Sequence, residues 1–202
     1  LQDCAKVTTP DYVEDKSTKL EKMYHRINEL RMPYKELKID AHIHYCEQCA
    51  GGEEKEHARQ QLESSWRELD EDFAFVAECN LGGEFMAPEK VERLKQIAQR
   101  TWMRSLDDRI GLSWEESQRK ERTPPPSLPV EEALIADRDD HLFIRPQEET
   151  ISDHNEYGFV LEVPTHHYNR GELHNLCIAR GTLTDEERYQ INDHIVQTII
   201  ML

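Results

Sequence analysis

The sequence predicts a mainly α fold with a little β. Three patterns carry that expectation: two apolar seams at helical spacing around a double glycine, a helix opened by a proline, and a capped amphipathic helix over the last residues. Between them lie a proline-rich run and short aromatic, β-branched segments, which leave room for isolated strands.

The first seam runs Leu20, Met23, Ile27, Leu30, Tyr34, Leu37 and Ala41. Steps of three and four put these residues on one stripe of a helix that packs on a neighbour at a shallow angle. Pro33 removes an amide donor and should kink this helix or split it in two. Gly51-Gly52 breaks the chain, and a second seam follows at Leu62, Trp66, Leu69, Phe73 and Val76. Two such helices around a double glycine predict an antiparallel hairpin over residues 18–77, each helix covering the other's stripe. Glu53, Glu54, Lys55 and Glu56 read as a solvated face.

Gly82-Gly83 ends this unit. Pro88 suits a first helical turn, and Val91, Leu94, Ile97, Ala98 and Trp102 predict a helix over 88–104. A short helix begins at Ser113, with Glu116 completing a capping box. Residues 123–129, with four prolines, should run as an extended linker. From 130 to 152 the chain reads as acidic loop with one strand at 141–145. Residues 157–163, ended by Pro164, are the stronger strand candidate. Helix returns over 170–179, and Gly181 turns the chain into a last helix. There Thr184 and Glu187 form a second capping box, and Ile191, Ile195, Thr198, Ile199 and Leu202 mark its apolar face. That face grows towards the final residue without a stop signal, and the chain opens on Leu1. Both ends therefore read as cuts within a longer protein.

Composition narrows the function. With 25 basic and 41 acidic residues the net charge is −16, which argues against binding polymeric nucleic acid or an anionic membrane surface. No apolar run approaches the roughly 20 residues needed to cross a bilayer. Five scattered cysteines do not resemble a disulfide framework, so reduced thiols and a cytoplasmic location are expected.

Two stretches resemble a known family. Asp3-Cys4-Ala5-Lys6-Val7-Thr8-Thr9-Pro10 resembles the segment that follows the His-Asp doublet in the HD superfamily of metal-dependent phosphohydrolases, where the pattern is His-Asp-x-Gly-Lys and then a short stretch to Pro. Gly181-Thr182-Leu183-Thr184-Asp185-Glu186-Glu187-Arg188 through His194-Ile195-Val196 is similar to the next block of the HD-GYP branch, whose helix carries a metal-binding His. The resemblance implies a partial HD-type helical domain made of residues 1–16 and 168–202. Residues 17–167 would be a long insertion comprising the hairpin, the helix, the linker and a loop-and-strand region over 130–167.

What the family does is implied in the same way. Its members hydrolyse cyclic di-GMP in bacterial second-messenger signalling, with iron or manganese as usual metals. Such chemistry needs a basic water at neutral pH and neutralised phosphoryl oxygens, which two metals about 3.5–4 Å apart supply. By this resemblance Asp3 would bridge the metals, His194 would be a ligand to one of them, and Lys6 would meet a substrate phosphate. Gln2 stands where the family has His, and Ala5 where it has Gly. The upstream ligands, the later His-His-Glu block and the Gly-Tyr-Pro signature do not occur in the sequence. A dinuclear site would thus be incomplete in these 202 residues.

Other residues carry weaker signals. His42, Cys46 and Cys49 share a helical face and could present three ligands to zinc, with Asp40 and His44 nearby. The bland alternative is a polar helix end with unpaired thiols. His166-His167 is followed by Tyr168 and reads as a connection into a helix. Trp66, Trp102 and Trp114 read as core or interface anchors. A second function class stays open: a non-catalytic regulatory module in which the hairpin forms a homodimer.

Overall fold

Two long helices meet at Gly51-Gly52. In a computed structural model, which describes residues 16, 19–20, 26–110, 112, 114–145 and 158–201, α1 spans Arg26–Ala50 and α2 spans Lys55–Asn80. Gly52 takes a φ of 89°, in the left-handed region that glycine enters without a steric penalty. The helices run antiparallel, as the seams predict. Tyr34 meets Phe73 edge-on at 5.1 Å, the Lys38 ammonium lies 2.6 Å from Asp70, and Gln48 donates to Gln61 at 2.8 Å nearer the turn.

Two details of the hairpin narrow the expectation. Pro33 does not split α1, which continues through it. Leu30 and Tyr34, on either side, are buried in the core, so packing on both sides holds the helix across one missing amide bond. Leu20 precedes the helix in a turn, yet it is also buried in the core. Met23 lies outside the described residues.

Helix α3, Pro88–Ala98, starts with Pro88 in its first turn as expected, but it ends at Ala98 rather than residue 104. Trp102 instead belongs to strand β1, Thr101–Arg104, which pairs antiparallel with β2, Val130–Ala133. An aromatic and a branched residue favour a pleated ladder once a partner is present. That partner falls in a segment expected to be loop.

Helix α4, Trp114–Lys120, forms where a short helix was expected; Ser113 and the side chain of Glu116 lie outside the described residues. Residues 123–129 carry neither helix nor strand. A 3-10 turn at Asp139–His141 leads into β3, Leu142–Ile144, within the expected 141–145. Its partner is β4, His166–Asn169, so the histidine pair sits on a strand and not on a connection. The described part of the stronger candidate, 158–163, forms no strand. Gly158 has a φ of 70°, Pro164 offers no amide donor, and β3 already has its partner.

Helix α5, Glu172–Leu176, is shorter than the expected 170–179 because the Asn169 side chain accepts from Gly171 N and holds the preceding turn. Helix α6, Asp185–Met201, closes the described chain. Its buried positions include Tyr189, Val196 and Thr198, and Ile191 is half-buried, whereas Ile195 is 55% exposed and Ile199 43%. The expected apolar face is therefore partly solvated, at Ile195 and Ile199. Trp114 is likewise exposed and is not a core residue.

The core joins the end of α2 to α3, α5 and the residues after β2, through Val76, Leu94, Leu134, Ile135 and Leu176. A close backbone crossing locks it. Gly181 N donates to Gly83 O at 2.7 Å, and a Cβ on Gly82 would stand 2.7 Å from the Gly181 oxygen. Only glycine fits there. This crossing delivers the chain to the start of α6.

Candidate functional site

The first turn of α6 is fixed by a reciprocal cap. Thr184 N donates to Glu187 Oε2 at 2.9 Å, and Glu187 N donates to Thr184 Oγ1 at 3.3 Å. This is the capping box that the sequence spells, and it satisfies two otherwise orphaned amides. The same Glu187 oxygen takes the Lys16 ammonium at 2.7 Å across 171 residues of chain. Lys16 also donates to Asn175 Oδ1 at 3.3 Å, its carbonyl accepts from the Thr182 hydroxyl at 3.1 Å, and its side chain is 2% exposed.

Lys19 extends this clamp. Its amide donates to Asn80 O at 2.9 Å, and its ammonium donates to the Leu176 and Ile178 carbonyls at 2.7 and 3.2 Å. Burial pulls the Lys19 pKa below its ordinary value, outweighing the nearby Cys79 and Cys177 thiols. Lys16 and Lys19 are thus pinned beside the start of α6. Sequence reasoning missed both lysines, because a buried lysine looks like any other until its acceptors are known.

His194 lies on α6 beyond the cap. It is half-buried, and its Nε2 is a buried atom with no hydrogen-bond partner. Its carbonyl accepts from the Thr198 hydroxyl at 2.9 Å. The helix docks on β4 through Tyr168, whose hydroxyl donates to Gln190 Oε1 at 3.0 Å. The Arg145 guanidinium stands 4.5 Å from the centre of the Tyr189 ring. A buried ring nitrogen without a partner carries a desolvation cost, and it is the kind of donor a divalent cation accepts.

The remaining expected site residues, Asp3 and Lys6, lie outside the described residues, as do Gln2 and Ala5. Among the described residues no group of three His, Cys, Asp or Glu side chains is placed to hold a metal ion. His42, Cys46 and Cys49 follow one another on α1 towards the hairpin turn, with His42 stacked on Trp66 at 6.0 Å. The four described cysteines are free thiols. His166 and His167 are adjacent on β4, and the His167 ring meets that of Tyr168 at 4.4 Å.

A cavity of about 730 Å³, lined in part by Lys16, Lys19 and Glu187 of the clamp, opens between the start of α1, β1, β2, α4 and the β3–β4 ladder. An ion network forms part of its wall. Lys120 pairs with Asp108 and, at 3.1 Å, with Asp140. Arg104 pairs with Glu132 at 2.8 Å, and Arg138 reaches Asp108 and Asp140 at 3.3 and 3.2 Å. Burial raises the two aspartate pKa values, but the surrounding cations outweigh it and hold both carboxyls below their usual range.

Residues 129–202 match a family model described as an HD domain. The matched segment runs from the start of β2 through α6 and includes the cap and His194. It begins ahead of residue 168, where the sequence resemblance resumes the HD-type domain. The match is a likeness of this segment to the HD domain and covers little more than a third of the chain. No curated protein and no solved structure matches the chain. None of the described helices is long and apolar enough to cross a membrane.

Proposed function

We propose that this chain contributes to a phosphohydrolase of the HD-GYP type, whose complete domain hydrolyses the phosphodiester bonds of cyclic di-GMP. The observation that carries the reading is the HD-domain match over 129–202, within which His194 holds a buried, unpartnered ring nitrogen. In this reading His194 and Asp3 are ligands to divalent metal, iron or manganese, and Lys6 meets a substrate phosphate. Bound metal would supply a basic water and charge neutralisation. The chain's own contribution is to orient the ligand helix. The Thr184–Glu187 cap and the Lys16 clamp fix the direction of α6, and Tyr168 fixes its rotation through Gln190.

These 202 residues offer few donors, so the isolated chain is expected to bind manganese weakly and to turn over no cyclic di-GMP. Calorimetric titration with manganese tests the ligand role: His194→Ala should abolish that binding. Equal binding by wild type and His194→Ala would remove His194 from the site. Manganese-dependent turnover by the isolated chain would refute the incompleteness of the centre.

A second reading is a non-catalytic regulatory module that dimerises through the hairpin. Gln2 in place of the family's His favours it, as do Met32, Ile39 and Ile43, which are 50–55% exposed on α1. Sedimentation separates the readings. A dimer lost in Ile39→Glu, together with no manganese binding even in Gln2→His, would favour the regulatory module.

A further inference from the structure

The tip of the hairpin carries two accessible thiols that neither reading of the function uses. Cys46 and Cys49 lie near the end of α1, which closes at Ala50. Cys46 is exposed, Cys49 is half-buried, and both are free thiols. The other two described cysteines differ. Burial pushes the Cys79 and Cys177 thiols above their ordinary pKa. A thiol reacts as its thiolate and only where a reagent can reach it. Cys79 and Cys177 are therefore poor nucleophiles, and thiol chemistry falls to the pair at the tip.

Helix geometry sets the spacing of the pair. Residues three apart on a helix stand roughly 5 Å apart at Cα, within the range of about 4.4–6.8 Å that a disulfide spans. Their Cβ atoms stand about 5–6 Å apart, whereas a disulfide brings them to about 4 Å. Closure must therefore deform the last turn of α1, and the chain beyond Cys49 permits it. Gly51 and Gly52 follow at once, Gly52 has a φ of 89°, and Gly52 N reaches Cys49 O only at 3.4 Å. A bridge closed against its geometry is also readily reduced. Among the described residues no third donor joins the two sulfurs in a group placed to hold a metal ion, which leaves them to react with each other. The Tyr45 phenol lies against Cys49, the main cause that pushes the phenol's pKa up, so Cys49 is the screened member of the pair.

We infer that Cys46 and Cys49 form a reversible dithiol–disulfide site, oxidised by small disulfides of the glutathione class. Cys46, the more exposed, attacks first as its thiolate. Its sulfur bonds to one half of the small disulfide, and the other half leaves as a thiolate. The Cys49 thiolate then attacks the Cys46 sulfur and releases the second half. One S–S bond breaks in the oxidant and one forms in the protein. Two electrons pass to the oxidant, and the two protons shed by the cysteines end on the released thiolates. Neither His194 nor the segment matched to the HD domain takes part, so this inference stands apart from the proposed function.

Trypsin cuts after Lys38 and Lys55, so residues 39–55 leave the full chain as one peptide holding both cysteines. The test equilibrates the full chain with glutathione disulfide and glutathione, quenches in acid, alkylates under denaturing conditions and digests. The 39–55 peptide should pass from doubly alkylated to unalkylated and two hydrogens lighter, and dithiothreitol should reverse the change, while Cys79 stays alkylated. Cys49→Ser should end as an adduct of one glutathione, formed within about twofold of the wild-type rate of thiol loss. Cys46→Ser should react at least fivefold more slowly. Both substitutions lie at the hairpin tip and should leave the circular dichroism unchanged. A 39–55 peptide that stays doubly alkylated in excess glutathione disulfide would overturn the inference, as would one that ends with two glutathiones or a link joining two chains. Equal rates in the two variants would overturn Cys46 as the attacking thiol.

Discussion

The junction at the start of α6 and the far end of the hairpin are both helical and charged, yet they are held by different physics. At the junction, Lys16 and Glu187 are nearly water-free and share one oxygen with a helix cap. Near the hairpin turn, Arg59 pairs with Glu63 at 2.8 Å, with both side chains more than half exposed. Distance alone would rank the two pairs as equals. Burial separates them, because removing one partner in a dry site strands the other charge, whereas water replaces a lost partner on a helix surface. The part of the molecule that positions the candidate site is the part where single changes are costly.

That contrast can be broken by mutation, and the largest effect should come at the junction. Lys16→Met strands the Glu187 carboxylate and should destabilise the fold by about 3–5 kcal/mol in urea unfolding. A loss no greater than that of a surface change would contradict a dry clamp. Leu176→Ala, at a fully buried position beside Lys19's acceptors, should cost about 2–5 kcal/mol through lost contacts and a cavity. Thr184→Ala removes one half of the cap and should cost about 1 kcal/mol. At the other extreme, Arg59→Ala should leave the denaturation midpoint within error.

The ion network of the cavity wall sharpens the comparison through pH. Asp108 and Asp140 have depressed pKa values in the fold, so their stabilising contribution is present above the ordinary carboxylate range near pH 4. It is lost as pH falls through their lower folded values. Lys120→Met removes a shared cation and should move the acid-unfolding midpoint to higher pH. An unchanged midpoint would mean that the network contributes nothing measurable.

Local signals in the sequence were reliable where the cause was local. The hairpin follows from two seams and a glycine turn, and Pro88 and the Thr184–Glu187 box each mark a helix start through chemistry within one turn. The strands were harder to read. β1 and β2 are four residues each and pair across an intervening helix and a proline run; their stability depends on a partner that local patterning does not name. Trp102 therefore continues the helical spacing after Ile97 yet sits in β1, and 158–163, richer in strand formers, has no ladder. At the candidate site, His194 was legible as a residue type at a helical position. Its unpartnered nitrogen was not, because burial of a single atom is set by packing, nor were the buried lysines beside the cap, whose acceptors lie 157 to 171 residues away.

The proposed function rests on His194 offering its Nε2 to a divalent cation. Side-chain NMR of histidine-labelled protein during manganese addition tests it most directly. The account predicts selective paramagnetic broadening of His194, weakened in Asp3→Ala, with His42 and His44 unaffected. A His194 resonance that stays sharp while manganese broadens other histidines would contradict it.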